Sequence, residues 1–296
     1  MTKLPNFLII GAAKGGTTSL YEYFNQHPEI YMSPVKEPRF FALENEKLDF
    51  QNPDQAINQT SITTLPEYLK LFNGVSSEIA IGEASPLYMY SSKAVDRIAH
   101  YIPEAKLIAI LRNPVDRAYS CYKHLIALEP YSFVEALEAE DDRIKRNWAH
   151  LWHYRQGGYY YTQLQRYFEK FDRRQIKIYL FDDLIKHPLS ITRNAFEFLG
   201  IDPTFVPDLE HKNVSNNPKV KFLQNIVNGK SKIRTFSKKI FPKAVRASVA
   251  EQIRGWNSKS FPPMSEDIRQ ELTKAYRLDI QQLEQLIERD LSHWLQ

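Results

Sequence analysis

Residues 7–20 read Phe-Leu-Ile-Ile-Gly-Ala-Ala-Lys-Gly-Gly-Thr-Thr-Ser-Leu, and no other stretch of the chain restricts its fold as tightly. Four consecutive apolar residues closed by a glycine predict a buried strand. The glycines at 11, 15 and 16 make a loop of phosphate size, and Thr17 opens a helix. Backbone N–H groups in such a loop, with the positive end of a helix behind them, form an anion site before any side chain is counted. Lys14 adds a full charge, and Thr17, Thr18 and Ser19 add hydroxyl donors.

The segments that follow alternate in kind. Helical spacing is expected over 17–26, ended by His27-Pro28, and a short strand over Ile30-Tyr31-Met32. Residues 49–65 read as a loop, 66–72 as a helix, and 79–81 as a strand ending in Gly82-Glu83. Residues 91–102 place Ala94, Val95, Ile98, Ala99 and Ile102 on one helical face. The strand 106–111 is cut off by Arg112-Asn113-Pro114, where Asn113 can cap and Pro114 can start a helix. Further helices are expected over 133–148, 160–171 and 191–199, a strand over 175–181, and one or two surface helices over 265–295. Strands separated by helices imply a parallel sheet with right-handed crossovers. The expected fold is a doubly wound, P-loop-like α/β sheet flanked by helices, with extra C-terminal helices. One domain is expected over 1–296, with its core over 5–200 and a basic, helical elaboration over 201–296.

Composition narrows the class. The chain has 296 residues, 43% hydrophobic, enough for a large core. Its apolar runs are far shorter than a membrane span, and Met1-Thr2-Lys3-Leu4-Pro5 carries no signal-peptide core. A soluble cytoplasmic chain is expected, or a soluble piece of a longer protein. Cys121 is the single cysteine, which excludes an intrachain disulfide and a multi-cysteine metal site. The net charge of +4 hides an asymmetry: ten Lys and Arg and no Asp or Glu fall between 211 and 250. Such a local field suits a polyanionic ligand, though a solvated basic face reads the same way.

In doubly wound sheets, ligands bind outside the carboxyl ends of the strands. Three polar features fall there: the 11–19 loop, Gly82-Glu83-Ala84-Ser85, and Arg112. An Arg in that place fits phosphate or sulfate, where an Asp would have fitted Mg²⁺. Gly11 and Gly16 have the glycine spacing of a nucleotide-triphosphate P-loop, yet Thr17 occupies the place of its lysine and Lys14 sits inside the loop. That displacement argues against an ordinary kinase or ATPase. Asp182-Asp183, after the strand 175–181, keeps a Mg²⁺-dependent nucleotide phosphotransferase open as an alternative, and the basic stretch keeps open a non-enzymatic polyanion-binding module. Residues 147–161 hold Trp148, His150, Trp152, His153, Tyr154, Tyr159, Tyr160 and Tyr161 around Gly157-Gly158. They read either as the wall of an acceptor pocket with the glycine pair as its hinge, or as helix packing.

Taken together, Gly-Ala-Ala-Lys-Gly-Gly-Thr-Thr-Ser-Leu at 11–20 and Leu-Arg-Asn-Pro-Val-Asp-Arg-Ala-Tyr-Ser at 111–120 resemble the two donor-binding motifs of sulfotransferases that use 3′-phosphoadenosine 5′-phosphosulfate (PAPS). Lys36-Glu37-Pro38-Arg39-Phe40-Phe41 resembles the Glu-x-x-Phe-Phe segment of the glycosaminoglycan-type branch, to which the bacterial type is similar. Gly82-Glu83-Ala84-Ser85-Pro86 and residues 179–188 look like later family segments, which weakens the magnesium reading. The likeness runs from about residue 7 to residue 200, and more loosely to 223. It implies that Lys14 stabilises the bridging oxygen, that Gly15, Gly16, Thr17, Thr18 and Ser19 hold the 5′-phosphate, and that Arg112 and Ser120 hold the 3′-phosphate. Glu37 is the implied base, with Glu83 and His124 as further candidates. Lys36, Glu83, His124, Trp152 and Tyr159 are expected on the acceptor side. The implied product is adenosine 3′,5′-bisphosphate, with no metal, no nucleic-acid partner and no membrane segment. The implied acceptor is a hydroxyl of a glycan or small natural product, with an amine as the less favoured case.

Overall fold

A computed structural model of the chain describes residues 3–209 and 263–296. The basic stretch over 211–250, including the His211–Pro218 region, lies outside the described residues. Five strands form one parallel sheet: β1 (Phe7–Gly11), β2 (Ile30–Met32), β3 (Ala80–Ala84), β4 (Lys106–Leu111) and β5 (Ile176–Leu180), in the order β2-β3-β1-β4-β5. All of β1 is buried because it pairs on both edges, Leu8 with Glu83 of β3 and Leu107 of β4. Alternation splits its side chains between two layers. Phe7 and Ile9 pack with Phe24, Ile108 and Phe196 on one face, while Leu8 and Ile10 join Leu107, Phe40 and Tyr88 on the other. The chain leaves β1 for one side of the sheet and later returns to the other, so the carboxyl ends of β3, β1 and β4 stand side by side at the switch in direction.

Several elements differ from expectation, each for a tertiary reason. The strand expected to stop at Gly82-Glu83 runs on through Ala84, since Ile9 of β1 pairs with it there. Gly82 is required: a Cβ would fall 2.3 Å from the Phe7 ring. Within the expected 49–65 loop, Ala56–Thr60 is helical, steadied by Asn58, which donates to the Phe50 carbonyl at 2.8 Å and accepts the Phe50 N–H at 3.1 Å. The helix expected over 133–148 splits into Phe133–Glu138 and Glu140–Lys145. Glu140 and Arg143, charged though they are, are buried. Arg143 makes a two-bond pair with Glu129 at 2.7 and 2.8 Å, and Glu140 accepts the N–H groups of Arg155 and Gln156.

The C-terminal segment is one long helix, Glu266–Ile287, followed by a 3₁₀ turn over Ser292–Leu295. It is not a surface addition: Leu272, Tyr276, Ile280, Leu283 and Trp294 enter the same core as β1 and β4. Its end also engages the two aspartates offered as magnesium ligands. Arg289 pairs with Asp183 at 2.6 Å, and His293 stands 3.6 Å from Asp182. Among the described residues no helix is long and apolar enough to cross a membrane.

The Gly157-Gly158 pair serves close packing and does not read as a hinge. A Cβ at Gly157 would lie 2.8 Å from Arg117 Nη1, and one at Gly158 would lie 2.7 Å from the Tyr276 hydroxyl. Arg117 is buried and donates to the Tyr154 carbonyl, so it has little room to withdraw. Gly157→Ala is therefore expected to lower stability by about 1–3 kcal/mol, read as a lower denaturation midpoint. A hinge would leave the midpoint unchanged and slow turnover.

Candidate active site

The loop after β1 is built on close approach. Ala12 N–H donates to the Ile110 carbonyl of β4 at 2.9 Å, and a Cβ at Gly15 would fall 2.2 Å from the same oxygen. Gly16, at φ 108°, caps the helix Thr17–Phe24. The N–H groups of Thr17 and Thr18 stand in the first helical turn, where no intrahelical carbonyl can reach them. The Thr17 side chain is buried, Ser19 is half-buried and Thr18 is exposed.

Lys14 holds a positive φ of 68° within this loop. His124 Nδ1, on the helix Pro114–Leu125, lies 3.4 Å from Lys14 Nζ. Burial lowers the pKa of Lys14; Arg112 and Lys36 push the same way, while Cys121 and Glu37 oppose them. Three cations and one carboxylate thus act on one another around the glycine loop.

Arg112 is the first residue beyond β4, as its position in the sequence implied. Its guanidinium lies 4.7 Å from the centre of the Phe181 ring, and its buried Nε has no hydrogen-bond partner among the described residues. Asn113 caps the following helix by accepting the Val115 N–H at 2.9 Å. Ser120 is half-buried on that helix, one turn before His124 and on the same face.

Glu37 sits in a turn where it and Arg39 both hold positive φ. Lys36 Nζ contacts one of its oxygens at 3.0 Å and Arg39 Nη2 the other at 2.9 Å. Burial alone would raise its pKa, but these two cations hold it down at about 2. Glu37 is thus ion-paired with both neighbours, and its charge also acts on Lys14.

The remaining candidates divide. Glu83 is fully buried within β3, so it cannot touch an acceptor. Tyr68 and Tyr88 donate to its Oε1, and burial pushes its pKa up to about 7. Trp152 is 1% exposed, 5.3 Å from Arg143 and edge-on to Trp148. Tyr159 packs edge-to-face on Tyr276 at 5.1 Å. Packing thus accounts for Trp152 and Tyr159, which were expected to face an acceptor. From that aromatic stretch it is His150 that lies within electrostatic reach of Glu37. Burial, with the Arg39 cation, takes His150 down to about 3, against the pull of Glu37. His153 Nδ1 lies 2.7 Å from the Tyr90 hydroxyl. His150 Nδ1, His153 Nε2 and Arg39 Nε are buried without a hydrogen-bond partner among the described residues. Two imidazoles inside a run of aromatics were the signal, and counting aromatic rings passed over them.

Comparison with known proteins agrees with this geometry. A family model described as the sulfotransferase domain matches residues 4–284. The chain is similar to bifunctional heparan sulfate N-deacetylase/N-sulfotransferase 1 of Xenopus laevis, 29% identical over 232 residues, which cover 77% of this chain and 25% of that protein. It is similar to the human bifunctional heparan sulfate N-deacetylase/N-sulfotransferase 3, 27% identical over 301 residues, 99% of this chain and 31% of that one. The chain therefore spans between a quarter and a third of the length of these relatives. A sulfotransferase from Alicyclobacillus acidocaldarius has a solved structure that superposes with a TM-score of 0.79 at 34% identity, covering 99% of this chain and all of that one. Since the family model takes in nearly the whole sequence, loop and sheet edge included, the chain belongs to the sulfotransferase family.

Proposed function

We propose that the protein transfers a sulfuryl group from PAPS to a hydroxyl of a glycan or small-molecule acceptor by in-line displacement. The observation that carries this reading is a glycine loop with Lys14 inside it, packed on the Ile110 carbonyl of the strand that ends immediately before Arg112. The residues fit the donor. Gly15 leaves a cradle that no Cβ could share with the Ile110 carbonyl, and Arg112 has a buried Nε without a partner among the described residues. The loop N–H groups with Gly15, Gly16, Thr17, Thr18 and Ser19 would hold the 5′-phosphate, and Arg112 with Ser120 the 3′-phosphate. Bound there, the donor supplies an activated sulfuryl group on a phosphate leaving group.

The chain's own part is electrostatic and positional. Lys14, its ammonium disfavoured by burial, gains from negative charge on a leaving oxygen, and His124 steadies it from 3.4 Å. Glu37 takes the acceptor's proton. With a pKa of about 2 it is a weak base while Lys36 and Arg39 both hold it. Lys36 also acts on Lys14, so an anion at the loop competes with Glu37 for that ammonium and raises the carboxylate's proton affinity. The curated relatives are named for N-sulfation of heparan sulfate, so a glycan amine is the second acceptor to test. A Mg²⁺-dependent kinase is disfavoured because Asp183 is ion-paired with Arg289.

Titration calorimetry with adenosine 3′,5′-bisphosphate is the first test; no binding, or Mg²⁺-dependent ATP binding in its place, would end this reading. An acceptor screen over heparosan, de-N-sulfated heparan sulfate, simple sugars and aliphatic alcohols, read by release of the bisphosphate, follows it. Lys14→Ala is expected to slow transfer about a hundred- to a thousand-fold. Glu37→Gln is expected to keep bisphosphate affinity and to lower kcat by about a hundred- to ten-thousand-fold. Loss of bisphosphate affinity in Glu37→Gln would instead assign Glu37 to donor binding.

A further inference from the structure

Glu37 and Arg39 hold φ of 62° and 60° although neither is glycine, and such backbone persists only where its surroundings over-determine it. The carboxyl end of β3 supplies that constraint. Ser33 N–H donates to the Gly82 carbonyl at 2.8 Å, and Glu37 N–H to the Ala84 carbonyl at 3.0 Å. Two residues on, Arg39 N–H donates to a side chain, Ser85 Oγ, at 3.0 Å. Ser85 is fully buried, and its own N–H is bound to the Ile9 carbonyl of β1 at 3.1 Å. Its hydroxyl is therefore anchored to the centre of the sheet.

Behind Ser85 stands Glu83, whose Oε1 accepts from Tyr68 and Tyr88 while its buried Oε2 has no partner among the described residues. The hydroxyls of Tyr88, Ser85 and Tyr68 all favour its ionised form, against the larger effect of burial. For stability alone a buried carboxyl with an idle oxygen is a poor choice, because a neutral side chain of similar size avoids the desolvation. We propose, resting on the reading of Glu37 as the base, that Glu83 and Ser85 are positioning residues: Ser85 holds the Arg39 N–H, the Glu83 charge acts on the Ser85 hydroxyl and on Glu37 across the turn, and the strained turn keeps the Glu37 carboxylate aimed at the acceptor.

The groups facing Glu83 are Tyr68 from the Leu65–Lys70 helix, Tyr88 from the Leu87–Tyr90 helix, Ser85 at the end of its own strand, and Glu37 across the turn. Glu37 and Glu83 disfavour each other's charge. Ionisation of Glu83, near pH 7, therefore raises the proton affinity of Glu37, and kcat rises with pH through that range.

The test uses the full chain with the best acceptor of the screen above, or release of sulfate to water where none turns over. Ser85→Ala is expected to lower kcat about ten- to a hundred-fold, with donor KM and bisphosphate affinity within about two-fold of the wild type. Glu83→Gln keeps an acceptor oxygen for Tyr68 and Tyr88 but cannot ionise, so it is expected to flatten the rise in kcat near pH 7. Wild-type kcat in Ser85→Ala overturns the proposal, as does an unchanged pH profile in Glu83→Gln. A parallel fall in melting temperature and bisphosphate affinity in Ser85→Ala would assign Ser85 to general packing and also overturn it. A wild-type protein that does not bind the bisphosphate overturns the sulfotransferase reading and this one together, whereas bisphosphate binding with unaltered Ser85→Ala kinetics overturns this one alone.

Discussion

The carbonyl of Ile110 is shared between two demands, and the site depends on both being met. It accepts the Ala12 N–H at 2.9 Å, and the α-carbon of Gly15 passes so near that any side chain there would collide with it. The anion loop is thereby fastened to β4 two residues before Arg112. Loop and guanidinium share a rigid base because they hang from adjacent strands, and those strands are fully buried along most of their length. A site that must place charge within fractions of an ångström gains from standing on sheet rather than on free loop.

On that base the structure sets two carboxylates to opposite ends of the usual range. Glu37 is held at about 2 by the cations on either side of it, and Glu83 is pushed up to about 7 by burial. They are separated by one turn of chain that is bonded residue by residue to the end of β3. The same pattern of residues split by environment recurs in enzymes that assign one carboxyl to proton transfer and another to support. Here the buried carboxyl lies out of reach of any acceptor, and the neighbouring Ser85 hydroxyl holds the Arg39 N–H.

The sheet, its strand-by-strand location and the glycine loop were legible because each rests on short-range physics. Apolar runs of four to six residues, the Asn113-Pro114 helix start and the Gly200 stop appear where their local rules put them. Elements governed by distant partners were not legible. The burial of Glu140 and Arg143 depends on Glu129, Arg155 and Gln156, which no local pattern places beside them. Asp183 looked free to hold a metal because Arg289, 106 residues later, could not be seen to pair with it. Trp152 and Tyr159 looked like pocket walls because an aromatic in a core and one in a cleft have the same sequence.

By itself, then, the sequence determined an anion loop with Lys14 inside it, an Arg at the next strand's end, and a Glu flanked by Lys36 and Arg39. All three follow from residue identity and near-neighbour spacing. Tertiary structure alone decided that Glu37 lies within electrostatic reach of Lys14, that Glu83 sits buried at the end of the neighbouring strand, that His124 stands beside Lys14, and that His150 comes within reach of Glu37. Proton affinity depends on depth and on charges brought from other strands and helices, and neither quantity is a property of any short stretch of chain.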